Sequence, residues 1–237
     1  MSAPPFHWAN VGYGRGDDPA AVTENRRRVG SALGGRAADT SAWVSLHQVH
    51  GATVVAVDSP EPGAASIAAD ASVTTDPEAV LVILTADCGP VALVAPGVVG
   101  AVHAGWRGLA AGVVEAAAAA VAERSTGPVQ AVLGPCVHPC CYEFSSVDLD
   151  PIADRLGAEV VSKTRAGRPA LHVPRAVRAA LRRAAVVDVT DVGVCTACSP
   201  DHFSHRRDGH TGLQAMLVAL KKSTQWASPR ERSPEPS

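Results

Sequence analysis

The stretch Leu81–Gly108, LVILTADCGPVALVAPGVVGAVHAGWRG, constrains the fold of this chain more than any other. It reads as three short apolar runs, Leu81–Ala86, Val91–Ala95 and Val98–His103, punctuated by Gly89-Pro90 and Pro96-Gly97. Short β-branched runs bounded by Gly and Pro are the pattern of buried strands. Tight turns between consecutive strands favour antiparallel pairing of all three. Chemistry-bearing residues stand at the ends of the runs: Asp87 and Cys88 after the first, His103 and then Trp106-Arg107 after the third. A thiolate and an imidazole at neighbouring strand ends can converge on one metal ion. A third ligand is available upstream in HQVHG, at His50 or His47. Three protein ligands with a position left open is the arrangement of a catalytic zinc site, whereas structural sites close with four. The plain alternative is a buried structural thiol with two hydrogen-bonded histidines.

The rest of the chain supplies helices around these strands. Asp18-Pro19 marks a helix start, Asp18 as N-cap and Pro19 in the first turn, running to about Leu33. Trp43–Val49 and Thr53–Val57 read as strands around the His50-Gly51 turn, Pro60–Gly63 as a loop, and Ala69–Thr74 as a further strand. Gly108 opens one alanine-rich helix over about Leu109–Arg124. A strand follows at Val129–Leu133, then helices over Ser145–Leu156 and Pro174–Ala185 and a strand over Val186–Val194. Thr211–Leu220 fits either a strand or a helix. The interleaving lacks an even βαβ rhythm, so the prediction is α/β (α+β) with mixed sheets and flanking helices in a single domain over residues 1–220. Residues 221–237 turn to Ser, Pro, Glu and Arg and read as a disordered tail.

A formal net charge of −2 argues against a nucleic-acid or membrane-surface partner, and no run reaches the roughly 18 apolar residues of a transmembrane helix. The N-terminus lacks the basic and apolar regions of a secretory signal, and six cysteines without one imply reduced thiols in the cytoplasm. The expected partner is a small molecule, and the expected assembly a monomer or weak homo-oligomer.

Two further clusters carry candidate chemistry. Arg107 sits where a helix begins, so its planar fork and the helix N-terminus together suit an anion. Phe203–Gly209, FSHRRDG, contains two adjacent arginines, which rarely share one face of a strand; Arg206 is slightly favoured over Arg207 for the inward position. Cys136, His138, Cys140 and Cys141 fall in GPCVHPCCYEF, a spacing too tight for the common zinc patterns. Cys195-Thr196-Ala197-Cys198 is a lone C-x-x-C, a weak redox or zinc signal whose favoured reading is two small buried thiols. Glu143 is available as a general acid or base, or as part of a turn.

QVHG (Gln48–Gly51), TADC (Thr85–Cys88), HAGWRG (His103–Gly108), LGPC…CCYEF (Leu133–Phe144) and FSHRRDG…TG (Phe203–Gly212) occur together and in this order. This set resembles the YfiH-like family, also labelled "polyphenol oxidase" or "laccase domain", over roughly Pro4 to Leu220. The resemblance implies a layered α/β/β/α architecture and a zinc-dependent purine nucleoside enzyme. Its implied activities are phosphorolysis of adenosine, inosine or methylthioadenosine and deamination of adenosine, with hydrolysis of an amide in a peptidoglycan precursor as the alternative. A non-enzymatic protein with structural zinc is the third reading. The positions matching the family's metal ligands are His50, Cys88 and His103. His50 is preferred over His47 because it falls at a turn, where a strand end can direct its side chain into a cleft. Cys88, Arg107 and Arg206 are the catalytic candidates, with Arg107, Ser204 and Arg206 contacting phosphate or ribose. Cu²⁺ is a substitute for Zn²⁺ at such an N/S site. The sequence holds no His-x-His pairs of the kind a multicopper oxidase needs.

Overall fold

In the computed structural model, which describes residues 2–6, 9–60 and 66–221, the chain turns a corner at Asp87-Cys88 and passes from one sheet to another. The expected Pro60–Gly63 loop falls mostly, and the expected tail almost wholly, outside these residues. Helix α1 (Pro19–Leu33) starts as anticipated, with the Asp18 side chain accepting from Ala20 N. Strands β1 (Trp43–Ser45), β2 (Val54–Ala56), β3 (Ala71–Thr74) and β4 (Val80–Thr85) follow. Beyond the corner run β5 (Gly89–Ala95), β6 (Val98–Ala104), the helices α2 (Trp106–Ala111) and α3 (Val113–Ala122), and β7 (Gln130–Leu133). The chain continues through α4 (Ser146–Leu156), a hairpin of β8 (Val161–Lys163) with β9 (Pro169–Leu171), α5 (Val173–Arg183) and β10 (Asp188–Asp191). The short α6 (His205–Asp208) and β11 (Gln214–Ala219) end the ordered elements.

Two mixed sheets lie face to face. One has the order β1-β4-β11, the other β10-β7-β5-β6-β3-β2. The expectation that all three central runs pair is therefore corrected: β5 and β6 form an antiparallel hairpin, but β4 pairs with β1 and β11. The physical reason is the turn chemistry. Pro96-Gly97, with Gly97 at φ 77°, closes a two-residue hairpin. Asp87 at φ 116° instead re-aims the chain into the second sheet.

Three apolar layers follow from this. Val44, Leu81, Ile83, Val99, Ala101 and Val218 fill the space between the sheets. The outer face of the large sheet buries Val91, Leu93, Val102 and Leu133 against α2–α5 through Leu109, Val114, Ile152 and Val177. On the far side, Trp43, Val80 and Val82 pack with Val29 of α1. The order is helix, sheet, sheet, helices, the layered architecture expected.

The single helix expected over Leu109–Arg124 is two. Gly112 adopts φ 88°, the left-handed conformation, and its amide caps α2 by bonding Gly108 O and Leu109 O. The break lets the Arg155 guanidinium come in close, so that a Cβ on Gly112 would lie 2.5 Å from its Nη2. Arg155 pairs with Glu115 at 2.9 Å, fastening α4 to α3. The strand predicted from Trp43 to Val49 stops at Ser45, because Gln48 pairs through its side chain: its Nε2 donates to Leu84 O and its Oε1 accepts from Leu84 N. Thr211–Leu220 resolves as strand β11, paired antiparallel with β4. Gly112→Ala should cost about 1–2 kcal/mol through its left-handed backbone, measured by urea unfolding. An unchanged midpoint would contradict the assigned role of the break.

Candidate metal centre

The register of the large sheet places the candidate ligands. β3 pairs antiparallel with β6 so that Ala71 faces Val102, which sets Asp70 opposite His103. His103 N donates to Asp70 O at 2.7 Å, and His103 Nδ1 lies 2.8 Å from Asp70 Oδ1. That bond leaves Nε2 of His103 for the cleft. The β5–β6 register, Pro90 facing His103, continues to bring Cys88 beside Gly105. A Cβ on Gly105 would lie 2.5 Å from His50 Cδ2 and 3.4 Å from Cys88 Sγ, so only glycine lets the His50 ring approach.

His50 stands on a turn at φ 62°, unusual for a residue other than glycine. The Asp70 carboxylate holds that turn, accepting from Val49 N (3.1 Å), His50 N (2.8 Å) and Gly51 N (2.6 Å). Ligand atoms of His50, Cys88 and His103 lie within 4.8 Å of one another, with Cys88 Sγ 3.7 Å from His50 Nε2. His47, the rival for the third position, instead bridges to Ala68 through its backbone, and its side chain is exposed.

The electrostatics match the geometry. Burial alone would raise the Cys88 thiol, but hydrogen bonds from His103 and His50 outweigh it and bring its pKa from 9.0 down to about 6. Burial opposes charge on His103, while Asp70 and Cys88 raise it to about 9. Asp70 is fully buried; burial opposes its charge too, yet the bonds from His103, Gly51 and His50 hold it below its ordinary value. A thiolate and two imidazoles, one oriented by a buried carboxylate, form a donor set suited to zinc or copper.

Beside Cys88 lies a shallow cleft, open to solvent and lined by Asp87, Cys88, Trp106, Val137, Tyr142 and Val173 among others. Arg107 is exposed at its edge, its guanidinium 4.2 Å from the Trp106 ring centroid. Arg206 stacks 4.9 Å from the Tyr142 centroid, and among the described residues its guanidinium makes no hydrogen bond. Arg207 is engaged otherwise, donating to Thr196 O, Ser199 O and His202 O and pairing with Asp208. Ser204 is buried, and its hydroxyl caps α6 by accepting from Arg207 N at 3.2 Å. Glu143 is exposed and ion-paired with Arg168 at 2.9 Å.

Two acidic residues carry more of the site than their sequence context suggests. Asp87 accepts from Thr196 Oγ1 and Arg206 N, both at 2.6 Å, and so ties the sheet corner to the arginine segment. Asp70 was signalled only by being the one acidic residue in the predicted strand Ala69–Thr74. Burial raises the pKa of Tyr142 first, with the charge of Cys88 next, to about 12, so its phenol stays protonated at neutral pH.

The family model described as "Multi-copper polyphenol oxidoreductase laccase" matches residues 1–221. The chain belongs to that family. A purine nucleoside phosphorylase of Streptomyces coelicolor is 42% identical over 231 residues, covering 93% of this chain and 91% of that protein. One of Mycobacterium bovis is 36% identical, covering 93% and 88%. Among solved structures, the hypothetical protein YfiH of Bacillus licheniformis superposes with a TM-score of 0.84 at 29% identity, covering 93% of this chain and 89% of that one. YlmD of Geobacillus stearothermophilus gives 0.84 at 32%, covering 94% and 88%. No helix among the described residues is long and apolar enough to cross a membrane.

If Asp70 orients the site, Asp70→Asn should lower metal affinity about 10–100-fold while the protein stays folded. An amide cannot accept from every donor the carboxylate serves, and its NH₂ group opposes one of them. Chelator competition reads the affinity and circular dichroism the fold; unchanged affinity would contradict the role.

Proposed function

We propose that this protein is a zinc-dependent purine nucleoside phosphorylase, with adenosine deamination as a second activity, acting in the cytoplasm as a monomer or weak homo-oligomer. Its substrates are phosphate and adenosine, inosine or methylthioadenosine. The observation that carries the reading is a three-ligand cluster, His50, Cys88 and His103, at a cleft bordered by two arginines. The names of the relatives support the same reaction class.

His50, Cys88 and His103 would hold zinc, or Cu²⁺ in its place, and the metal would supply Lewis-acid polarisation to the cleft. The remaining work falls to the chain itself. Arg107 and Arg206 bind the phosphate anion; each guanidinium is backed by an aromatic face, which holds its plane without using its donors. Ser204 acts one step removed, fixing the turn that presents Arg206. The Tyr142 hydroxyl, protonated, donates a hydrogen bond to the bound nucleoside. Val137, Val173 and Trp106 give the purine and ribose an apolar wall that excludes water. In phosphorolysis a phosphate oxygen bonds to C1′ as the C1′–N9 bond breaks. The electron pair leaves with the base, which takes up a proton; from adenosine the products are adenine and ribose 1-phosphate. In deamination, water adds at C6 and ammonia leaves, giving inosine.

Purified wild type should convert adenosine to adenine only when phosphate is present. Cys88→Ala should remain folded and lose roughly 10³-fold in turnover, the equivalent of several kcal/mol of charge stabilisation. Product analysis by mass, with circular dichroism on both proteins, checks this. Unfolding of Cys88→Ala would show the metal to be structural, and zinc-loaded wild type without turnover would overturn the nucleoside reading.

A further inference from the structure

A second group of ligands lies outside the cleft. Cys140 and Cys141 meet Cys195 and Cys198 across about 55 residues of chain, and their four sulfurs all lie within 4.8 Å of one another. The closer pairs are Cys141–Cys198 at 3.3 Å, Cys140–Cys198 at 3.6 Å, Cys140–Cys141 at 3.7 Å and Cys140–Cys195 at 3.9 Å. Sulfurs at the corners of a tetrahedron with bonds of about 2.3 Å to zinc stand about 3.8 Å apart. The spacing is far longer than the roughly 2.05 Å of a disulfide. The four thiols are free, and Cys198 is exposed, which corrects the reading of Cys195 and Cys198 as two small buried thiols.

From these positions we infer that Cys140, Cys141, Cys195 and Cys198 form a second metal site, a closed four-thiolate site for structural zinc. The backbone delivers the ligands in two turns. In one, Cys141 N bonds His138 O and Tyr142 N bonds Pro139 O; in the other, Cys198 N and Ser199 N both bond Cys195 O. The turns are pinned to each other where Cys136 N donates to Val194 O and Thr196 N to Cys136 O. Polar hydrogens already point at the sulfurs: His138 N donates to Cys195 Sγ at 3.3 Å and Arg165 Nη2 to Cys198 Sγ at 3.4 Å. Four thiolates around Zn²⁺ leave a net charge of −2, which the Arg165 guanidinium partly offsets. Donors of this kind orient and stabilise metal-bound thiolates. Binding balances simply, since each thiol gives up its proton to solvent as its sulfur takes the metal, with no change of oxidation state.

The site braces the cleft. Cys141 adjoins Tyr142, and the Cys195–Cys198 turn carries the Thr196 and Ser199 carbonyls that Arg207 holds. Arg207 adjoins Arg206, so the four sulfurs lock together the aromatic ring and the guanidinium that stacks on it. This bracing role rests on the proposed function; the metal assignment does not.

Metal content of the full-length protein is the test. Wild type purified under reducing conditions should carry about two zinc ions per chain, one open and one closed site. Cys195→Ser/Cys198→Ser should carry about one and keep the His50–Cys88–His103 metal, while Cys88→Ala should carry about one and keep the other. Cobalt loaded into Cys88→Ala should show the thiolate-to-metal charge-transfer absorption of a four-sulfur site, a reading that holds even if the double variant fails to fold. One zinc in wild type with Cys140, Cys141, Cys195 and Cys198 all open to a thiol reagent would overturn the inference. So would iron in place of zinc, or a disulfide within the cluster detected by mass. None of these readings depends on nucleoside turnover.

Discussion

The buried carboxylate of Asp70 is the contact on which the candidate metal centre depends. It binds three successive backbone N–H groups of the His50 turn with one side chain and the His103 ring with the same pair of oxygens. Hydrogen bonds to a charged group contribute about 1.5–3 kcal/mol each. Four of them are enough to offset the several kcal/mol that burying an ion costs. The balance is close, so the carboxylate adds little net stability but a great deal of order. It fixes the backbone of a residue at φ 62° and selects the ring nitrogen of His103 that faces the cleft. One interaction therefore aims two of the three candidate ligands.

The third candidate ligand is set by sheet geometry. Cys88 lies just past the corner where the chain leaves the small sheet for the large one, and the β5–β6 register brings it to Gly105 and His50. The corner does further work through Asp87, which receives the Arg206 amide and the Thr196 hydroxyl. Distant segments of the sequence thus meet at the ends of the central strands of the large sheet, held by the two hydrogen-bonded carboxylates of Asp70 and Asp87.

How much of this the sequence disclosed depends on the range of the interaction concerned. The Asp18 cap, the Pro96-Gly97 hairpin and the apolar runs of β4–β6 are local, and each showed directly. His50, Cys88 and His103 stood out as metal-binding residue types at the ends of apolar runs, and the ordered motifs gave them a common context. Asp70 did not stand out, because its partners are 20 and 33 residues away and nothing nearby marks it as buried. The break at Gly112 was hidden by an alanine-rich window whose propensity favours a continuous helix. Ser204 was a candidate phosphate or ribose contact through its place in the FSHRRDG motif; its burial and its capping bond are tertiary facts. The four-cysteine cluster showed only in part for the same reason. The C-x-x-C half was by itself a weak redox or zinc signal, and the parallel pairing of β10 with β7 brings the two halves together.

The most direct measurement of the central claim is anomalous diffraction across the zinc edge, from crystals grown with phosphate. The account predicts a peak within bonding distance of His50 Nε2, Cys88 Sγ and His103 Nε2, with Asp70 on the far nitrogen of His103. The open side of that metal should face the cleft between Arg107 and Arg206. A peak at this position closed by a fourth protein ligand, or no peak there at all, would contradict it.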